Sequence, residues 1–65
     1  IQMKEALIIS YNNGRNKGKM GIKKDYPGYE EVKLEALTKL TEQGFVIETQ
    51  DILYITDDQL QEYLK

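Results

Sequence analysis

A run of basic residues between Asn12 and Lys24 contains the side chains of this sequence that could do chemistry. Within the segment NNGRNKGKMGIKK five side chains are cationic and none is acidic: Arg15, Lys17, Lys19, Lys23 and Lys24. Three glycines and three asparagines lie among them. Flexible cations can follow a phosphate backbone without exact geometry, and each neutralised phosphate releases counterions. The segment is therefore typical of a surface that meets an anionic partner.

Neighbouring side chains could add more specific contacts to this basic run. The amides of Asn13 and Asn16 can reach sugar or base edges, and Tyr11 can stack on an unpaired base. We therefore predict a nucleic-acid-binding site, for DNA or RNA, made of the following residues: Tyr11, Asn13, Arg15, Asn16, Lys17, Lys19, Lys23 and Lys24. The structural alternative is a solvated hairpin whose lysines protect an edge strand.

The segment does not fit the phosphate-binding loop of nucleotide hydrolases, although Gly18 and Lys19 follow an apolar run. In the pattern G-x-x-x-x-G-K-[ST] the first glycine would fall at Asn13 and the magnesium-binding hydroxyl at Met20. Both positions carry the wrong residue type. The sequence therefore argues against nucleotide hydrolysis.

The residue types that the chain lacks exclude further classes of chemistry. It has no cysteine and no histidine, so disulfides, thiol nucleophiles and imidazole ligands are excluded. Ser10 has no imidazole base to activate it. Asp57 and Asp58 are next to each other in the sequence, at positions where acids stabilise the start of a helix. We predict a protein that is not an enzyme and that binds no cofactor and no metal.

The formal net charge of −2 conceals an unequal distribution of charge. Residues 1–24 carry six basic side chains and one acid, whereas residues 25–65 carry three basic side chains and ten acids. One alternative is therefore a protein-interaction module or inhibitor that uses an acidic helix surface, made of Glu31, Leu34, Glu35 and Glu42. Another is that the two parts neutralise each other, either within a monomer or between the subunits of a homodimer.

The length of 65 residues indicates a single small domain, 1–65, with a thin core. No apolar run approaches the ~20 residues of a membrane-spanning helix, so we expect no membrane association. The lack of cysteine suits a reducing compartment, and we expect a small cytoplasmic regulatory protein. Met3 is a candidate natural start, ahead of which Ile1 and Gln2 would be extraneous.

The predicted secondary structure places the basic run on a β-hairpin. The segment EALIISY, residues 5–11, is apolar at consecutive positions, which predicts a central strand that is covered on both faces. The segment KMGIKK then returns as an antiparallel strand with Met20 and Ile22 toward the core. Gly21 between them indicates an edge strand or a bulge.

A helix is predicted for residues 29–43, because apolar residues recur there at three- and four-residue spacing and Gly44 follows as a left-handed end residue. A second hairpin is predicted for residues 45–55, with its turn at 49–51. Thr56 and Gln59 match a capping box that starts a short C-terminal helix. The predicted order is ββαββα: an α+β fold with a small, mostly antiparallel sheet packed on one main helix.

Residues 37–64, LTKLTEQGFVIETQDILYITDDQLQEYL, resemble the end of a winged-helix domain. The likeness lies in a helix closing in Leu-x-x-Leu-x-x-x-Gly-Phe, a two-stranded wing, and a Tyr-x-Thr exit into a last helix. It implies a DNA binder whose recognition helix would be residues 29–43. It covers less than half of the chain, and the family's two preceding helices are not identifiable in residues 1–26. We assign the chain to no family on this basis.

Overall fold

The structure, a computed structural model, describes residues 2–65, so the question of whether Ile1 is native lies outside it. Five elements follow one another: β1 (Lys4–Asn12), β2 (Lys17–Lys23), α1 (Tyr29–Glu42), β3 (Val46–Ile55) and α2 (Asp57–Leu64). The strands form one antiparallel sheet in the order β2-β1-β3. The predicted α+β class is therefore confirmed.

The central strand β1 carries the core. Its residues 6–9 are all buried, and they alternate between the two faces of the sheet. Leu7 and Ile9 pack with Leu40 of α1, on what we call the α1 face. Ala6 and Ile8 pack with Leu60 of α2, on what we call the α2 face. The predictions that this strand is central and is covered on both sides are both confirmed.

Helix α1 follows the predicted apolar stripe closely. Glu30 and Glu31 lie in its first turn, where acids offset the positive end of the helix dipole. At its end Gly44 has a positive φ of 87°, and the Phe45 amide donates to the Leu40 carbonyl at 3.0 Å. These are the features of a Schellman end, in which the chain reverses after the helix.

The predicted second hairpin is wrong, because residues 46–55 form one continuous strand. The expected turn, Thr49 to Asp51, instead pairs with Ser10, Ile9 and Ile8 of β1. Pairing with a long buried strand thus overrides the local preference of these polar residues for a turn. A register shift between Ser10 and Tyr11 leaves Glu48 as an extra residue in β3. The observed order is ββαβα, and the wing implied by the winged-helix resemblance is not formed.

Helix α2 begins with the predicted capping box. The Gln59 amide donates to the Thr56 hydroxyl at 3.1 Å, and the Thr56 amide donates to the Gln59 side chain at 3.0 Å. The helix crosses the α2 face beside Gly21 of β2, where a Cβ atom would lie 3.0 Å from Leu60 Cδ1 and 3.4 Å from Leu64 Cδ1. Gly21 thus lies in an edge strand, as predicted, and its lack of a side chain makes room for α2.

Replacing Gly21 by valine should lower the free energy of unfolding by about 1–3 kcal/mol, because the new methyl groups would overpack the contact with Leu60 and Leu64. Urea unfolding followed by circular dichroism measures the change. Thr49→Val is the matched control, since Thr49 is an exposed strand residue. An unchanged unfolding midpoint for Gly21→Val would contradict this account of the packing.

Candidate functional site

The turn between β1 and β2 is organised by its own asparagines. The Asn13 side-chain oxygen accepts hydrogen bonds from the amides of Arg15 and Asn16, at 3.0 and 2.7 Å. The Asn12 side-chain oxygen accepts from the Gly14 amide at 2.7 Å, and Gly14 has a positive φ of 89°. These bonds fix the backbone that presents Arg15. They also occupy the oxygen of Asn13, which sequence reasoning had assigned to a sugar or base edge.

Three cations lie at this end of the hairpin, and we call them the basic tip: Arg15, Lys17 and Lys19. All three are exposed. Within residues 2–65 no carboxylate forms an ion pair with any of them. Lys19 Nζ lies 4.3 Å from the centre of the Tyr63 ring, in a cation–π contact with α2. Arg15 and Lys17 therefore keep their full hydrogen-bonding capacity for a ligand.

The two remaining predicted cations lie apart from the basic tip. Lys23 follows Lys17 by six strand residues, or roughly 20 Å. Its Nζ lies 2.9 Å from Asp57 Oδ1 at the start of α2. Lys24 turns to the other face, where its Nζ lies 5.8 Å from the centre of the Tyr29 ring. The eight residues predicted from the sequence are thus divided between two ends of the hairpin.

Tyr11 is part of the packed core near the basic tip. Its ring meets Phe45 edge-to-face, with the centroids 5.0 Å apart and the planes at 80°. Gly18 lies directly against it, since a Cβ there would be 2.7 Å from the Tyr11 hydroxyl oxygen. The ring that was predicted to stack on a base is therefore engaged by the protein itself. Tyr11 also lines a groove beside the hairpin.

An open groove of about 620 Å³ runs between β2 and the end of α2. Lys17 and Lys19 line one side and Tyr63 lines the other. Tyr63 is 44% exposed, and sequence reasoning missed it as a site residue because it belongs to the apolar stripe of α2. No local pattern links it to Lys19, which is distant in the sequence. One acid, Glu48, also lines the groove, and its carboxylate accepts a hydrogen bond from the Asn12 side-chain nitrogen, Nδ2, at 3.4 Å.

The acidic alternative site occupies the outward surface of α1. Its members are all exposed: Glu31, Leu34, Glu35 and Glu42. Glu35 pairs with Lys39 one turn along the helix, at 3.0 Å. Leu34 is 66% exposed and lies off the buried stripe. The structure thus brings these four residues onto one helix, separate from the basic tip.

Comparisons of the chain with protein-family models, with curated protein sequences and with solved structures give no significant match. Among residues 2–65 there is no helix whose length and apolar character would allow it to cross a membrane. The same residues contain no cluster of acidic side chains that could hold a metal ion. The site is therefore interpreted from its own geometry.

The ion pair between Lys23 and Asp57 should be visible in the titration of Asp57. The hydrogen bond from Lys23 lowers the pKa of this carboxyl below its ordinary value and raises the pKa of Lys23. A carboxyl with a lowered pKa stabilises the fold at neutral pH, and this contribution is lost as the pH falls below about 4, through the pKa of Asp57.

We expect Lys23→Gln to raise the pKa of Asp57 toward the ordinary range, measured by carboxyl-carbon NMR over an acid titration. Lys24→Gln removes the neighbouring positive charge, which makes no ion pair with Asp57, and should leave this pKa in place. Equal shifts of the Asp57 pKa in the two variants would show that the hydrogen bond from Lys23 is not the main cause of its lowered pKa.

Proposed function

We propose that this protein is a non-catalytic module that binds DNA or RNA through the basic tip. The observation that carries the proposal is that Arg15 and Lys17 are exposed and have no ion-pair partner within residues 2–65. Lys4, Lys23 and Lys39 differ from them, because each forms an ion pair with a carboxylate of the protein. Free cations at one end of the sheet favour a negatively charged ligand from outside.

The hydrogen-bonded turn between β1 and β2 supports this function. Asn12 and Asn13 fix the backbone on which Arg15 is mounted, so little conformational freedom of the main chain is lost on binding. A guanidinium in this position can bind one phosphate through two nitrogens. Asn16, whose side chain makes no hydrogen bond within residues 2–65, adds a polar group beside it.

The groove favours a single strand over a duplex. A phosphate backbone that passes Lys17 and Lys19 would bring its bases to the exposed side of Tyr63. Base stacking on an aromatic ring beside a cationic channel is the usual chemistry of single-strand binding, and it tolerates many sequences. Glu48 would oppose a backbone that lay deeper in the groove. We therefore place the phosphates along the hairpin edge and the bases toward α2.

Replacing Arg15, Lys17 and Lys19 together by alanine should abolish binding to mixed-sequence single-stranded oligonucleotides at moderate salt. The loss of about three phosphate contacts should also reduce the salt slope of log K by about 2. Fluorescence anisotropy with labelled DNA and RNA at several salt concentrations measures both quantities.

The matched control replaces three lysines that already contact the protein's own carboxylates: Lys4, Lys33 and Lys39. It changes the net charge equally and should retain most of the affinity. Equal losses in the two triple variants would indicate a diffuse charge effect, and wild-type protein that fails to bind at low salt would end the proposal.

A second candidate function is protein binding through the acidic surface of α1. It is favoured by the exposure of Leu34 among Glu31, Glu35 and Glu42, because an apolar side chain inside a charged surface is a common anchor for a basic partner.

If the second function is correct, one protein should stay bound to immobilised wild-type chain after nuclease treatment of a cell extract. The double substitution Leu34→Ser and Glu31→Gln should release that protein, whereas the triple alanine variant of the basic tip should retain it. Loss of all captured material on nuclease treatment would instead exclude the α1 surface as the binding site.

A further inference from the structure

The two edges of the sheet differ in how they are protected against pairing with another strand. The edge strand β2 carries three lysines and two glycines in its seven residues, Lys17–Lys23. Lysines on an edge strand are a common device against strand addition. The other edge strand, β3, is ten residues long, Val46–Ile55, and has neither lysine nor proline. Its outer edge pairs with no other strand within residues 2–65.

Strand β3, whose charged residues are Glu48 and Asp51, also exposes large apolar side chains. Val46 is 67% exposed, Ile52 46% and Tyr54 66%. Ile52 and Tyr54 lie on the α1 face, since they pair with Leu7 and Glu5 of β1. An extended, apolar edge with free backbone groups is a ready template for one more strand.

We propose that a second copy of this chain pairs its β3 with this edge, antiparallel, about a two-fold axis at Ile52. The register shift at Glu48 leaves residues 49–55 as the regular part of β3, and Ile52 is the middle residue of that range. Antiparallel self-pairing of the whole regular part therefore places Ile52 opposite Ile52 of the second copy. It also places Gln50 opposite Tyr54 and keeps paired residues on the same face.

Charge supports this register over its neighbours. With the axis at Ile52, Asp51 lies opposite Leu53 of the second copy, and Glu48 falls outside the paired range. An axis at Asp51 would place two carboxylates directly opposite each other, which is destabilising. An axis at Leu53 would pair only the five residues 51–55. The register at Ile52 is thus the longest one that opposes no like charges.

Symmetry favours β3 of the second copy over its β2. Pairing β3 with β2 would bring acids and lysines together, but it leaves a free β3 at one end and a free β2 at the other, so the assembly would grow as a filament. Lys23 of β2 is in addition already paired with Asp57. Pairing of β3 with β3 closes after two copies. It gives a six-stranded sheet whose outer strands are the two lysine-protected β2 strands.

This inference is independent of the proposed function. In the closed dimer the two β2 strands are outermost and lie away from the axis, so both copies of the basic tip remain accessible. Nucleic-acid binding and dimer formation can therefore fail or succeed separately in experiment.

The protein should show a reversible increase in mass with concentration, from monomer to dimer and no further, by sedimentation over the micromolar to millimolar range. Because the interface is mainly backbone hydrogen bonds and apolar side chains, the dimer should persist at high salt. A mass that stays monomeric throughout, that keeps rising beyond the dimer, or that falls on addition of salt would overturn the two-fold arrangement.

The chain lacks cysteine, so a single introduced cysteine reports directly on the register. In the proposed dimer the two Cα atoms of residue 52 lie about 4.5–5.5 Å apart, which permits a disulfide, whereas those of residue 46 lie roughly 40 Å apart. Ile52→Cys should form a covalent dimer readily under mild oxidation. Val46→Cys, on the same exposed strand, should form it many-fold more slowly. Equal rates would exclude an axis at Ile52.

Lysine substitution gives a second measurement that does not depend on oxidation. Ile52→Lys would place two cations opposite each other and should abolish dimer formation. Val46→Lys makes a similar change outside the paired range and should leave the dimer in place. Both residues are exposed, so circular dichroism should show native folds. A dimer that survives Ile52→Lys would contradict the proposal.

Discussion

The burial of β1 on both faces is the constraint on which the rest of this structure depends. A 65-residue chain has little apolar surface to bury, and four consecutive residues of one strand, 6–9, provide much of the core. Each face then needs a cover, and α1 and α2 supply one each. Both neighbours of β1 are consequently edge strands, one on each side. Within residues 2–65 there is no second buried strand that could hide the edges from solvent.

This arrangement decides which charged residues can act together. Alternation along β2 sends Lys19 and Lys23 to the α2 face, where Tyr63 and Asp57 meet them, and sends Lys24 to the α1 face beside Tyr29. Arg15 and Lys17 lie at the end of the hairpin, next to the turn between β1 and β2. These two cations form no ion pair within residues 2–65, whereas Glu30 and Glu35 of α1 pair with lysines of their own helix.

The two sheet edges also differ chemically, because α2 packs closely beside β2. The edge next to α2 carries lysines and a glycine that the helix needs for its close approach, and these residues also discourage strand pairing. The edge formed by β3 carries apolar side chains and a register shift near one end. A single three-stranded sheet thus presents a cationic surface on one side and a surface suited to self-association on the other.

The sequence by itself determined the features that depend on residues close together in the chain. The capping box of Thr56 and Gln59, the end of α1 at Gly44 and the β1–β2 hairpin all follow from patterns within a few residues, and the structure shows each of them. The sequence also located the basic tip on that hairpin. It could not divide Lys23 and Lys24 from Lys17, because their separation depends on which helix covers which face.

Only the tertiary structure decided that Thr49 to Asp51 extend a strand, that Tyr11 packs on Phe45 and that Tyr63 borders the groove. Each of these outcomes is set by partners far away in the sequence, whose packing outweighs weak local preferences.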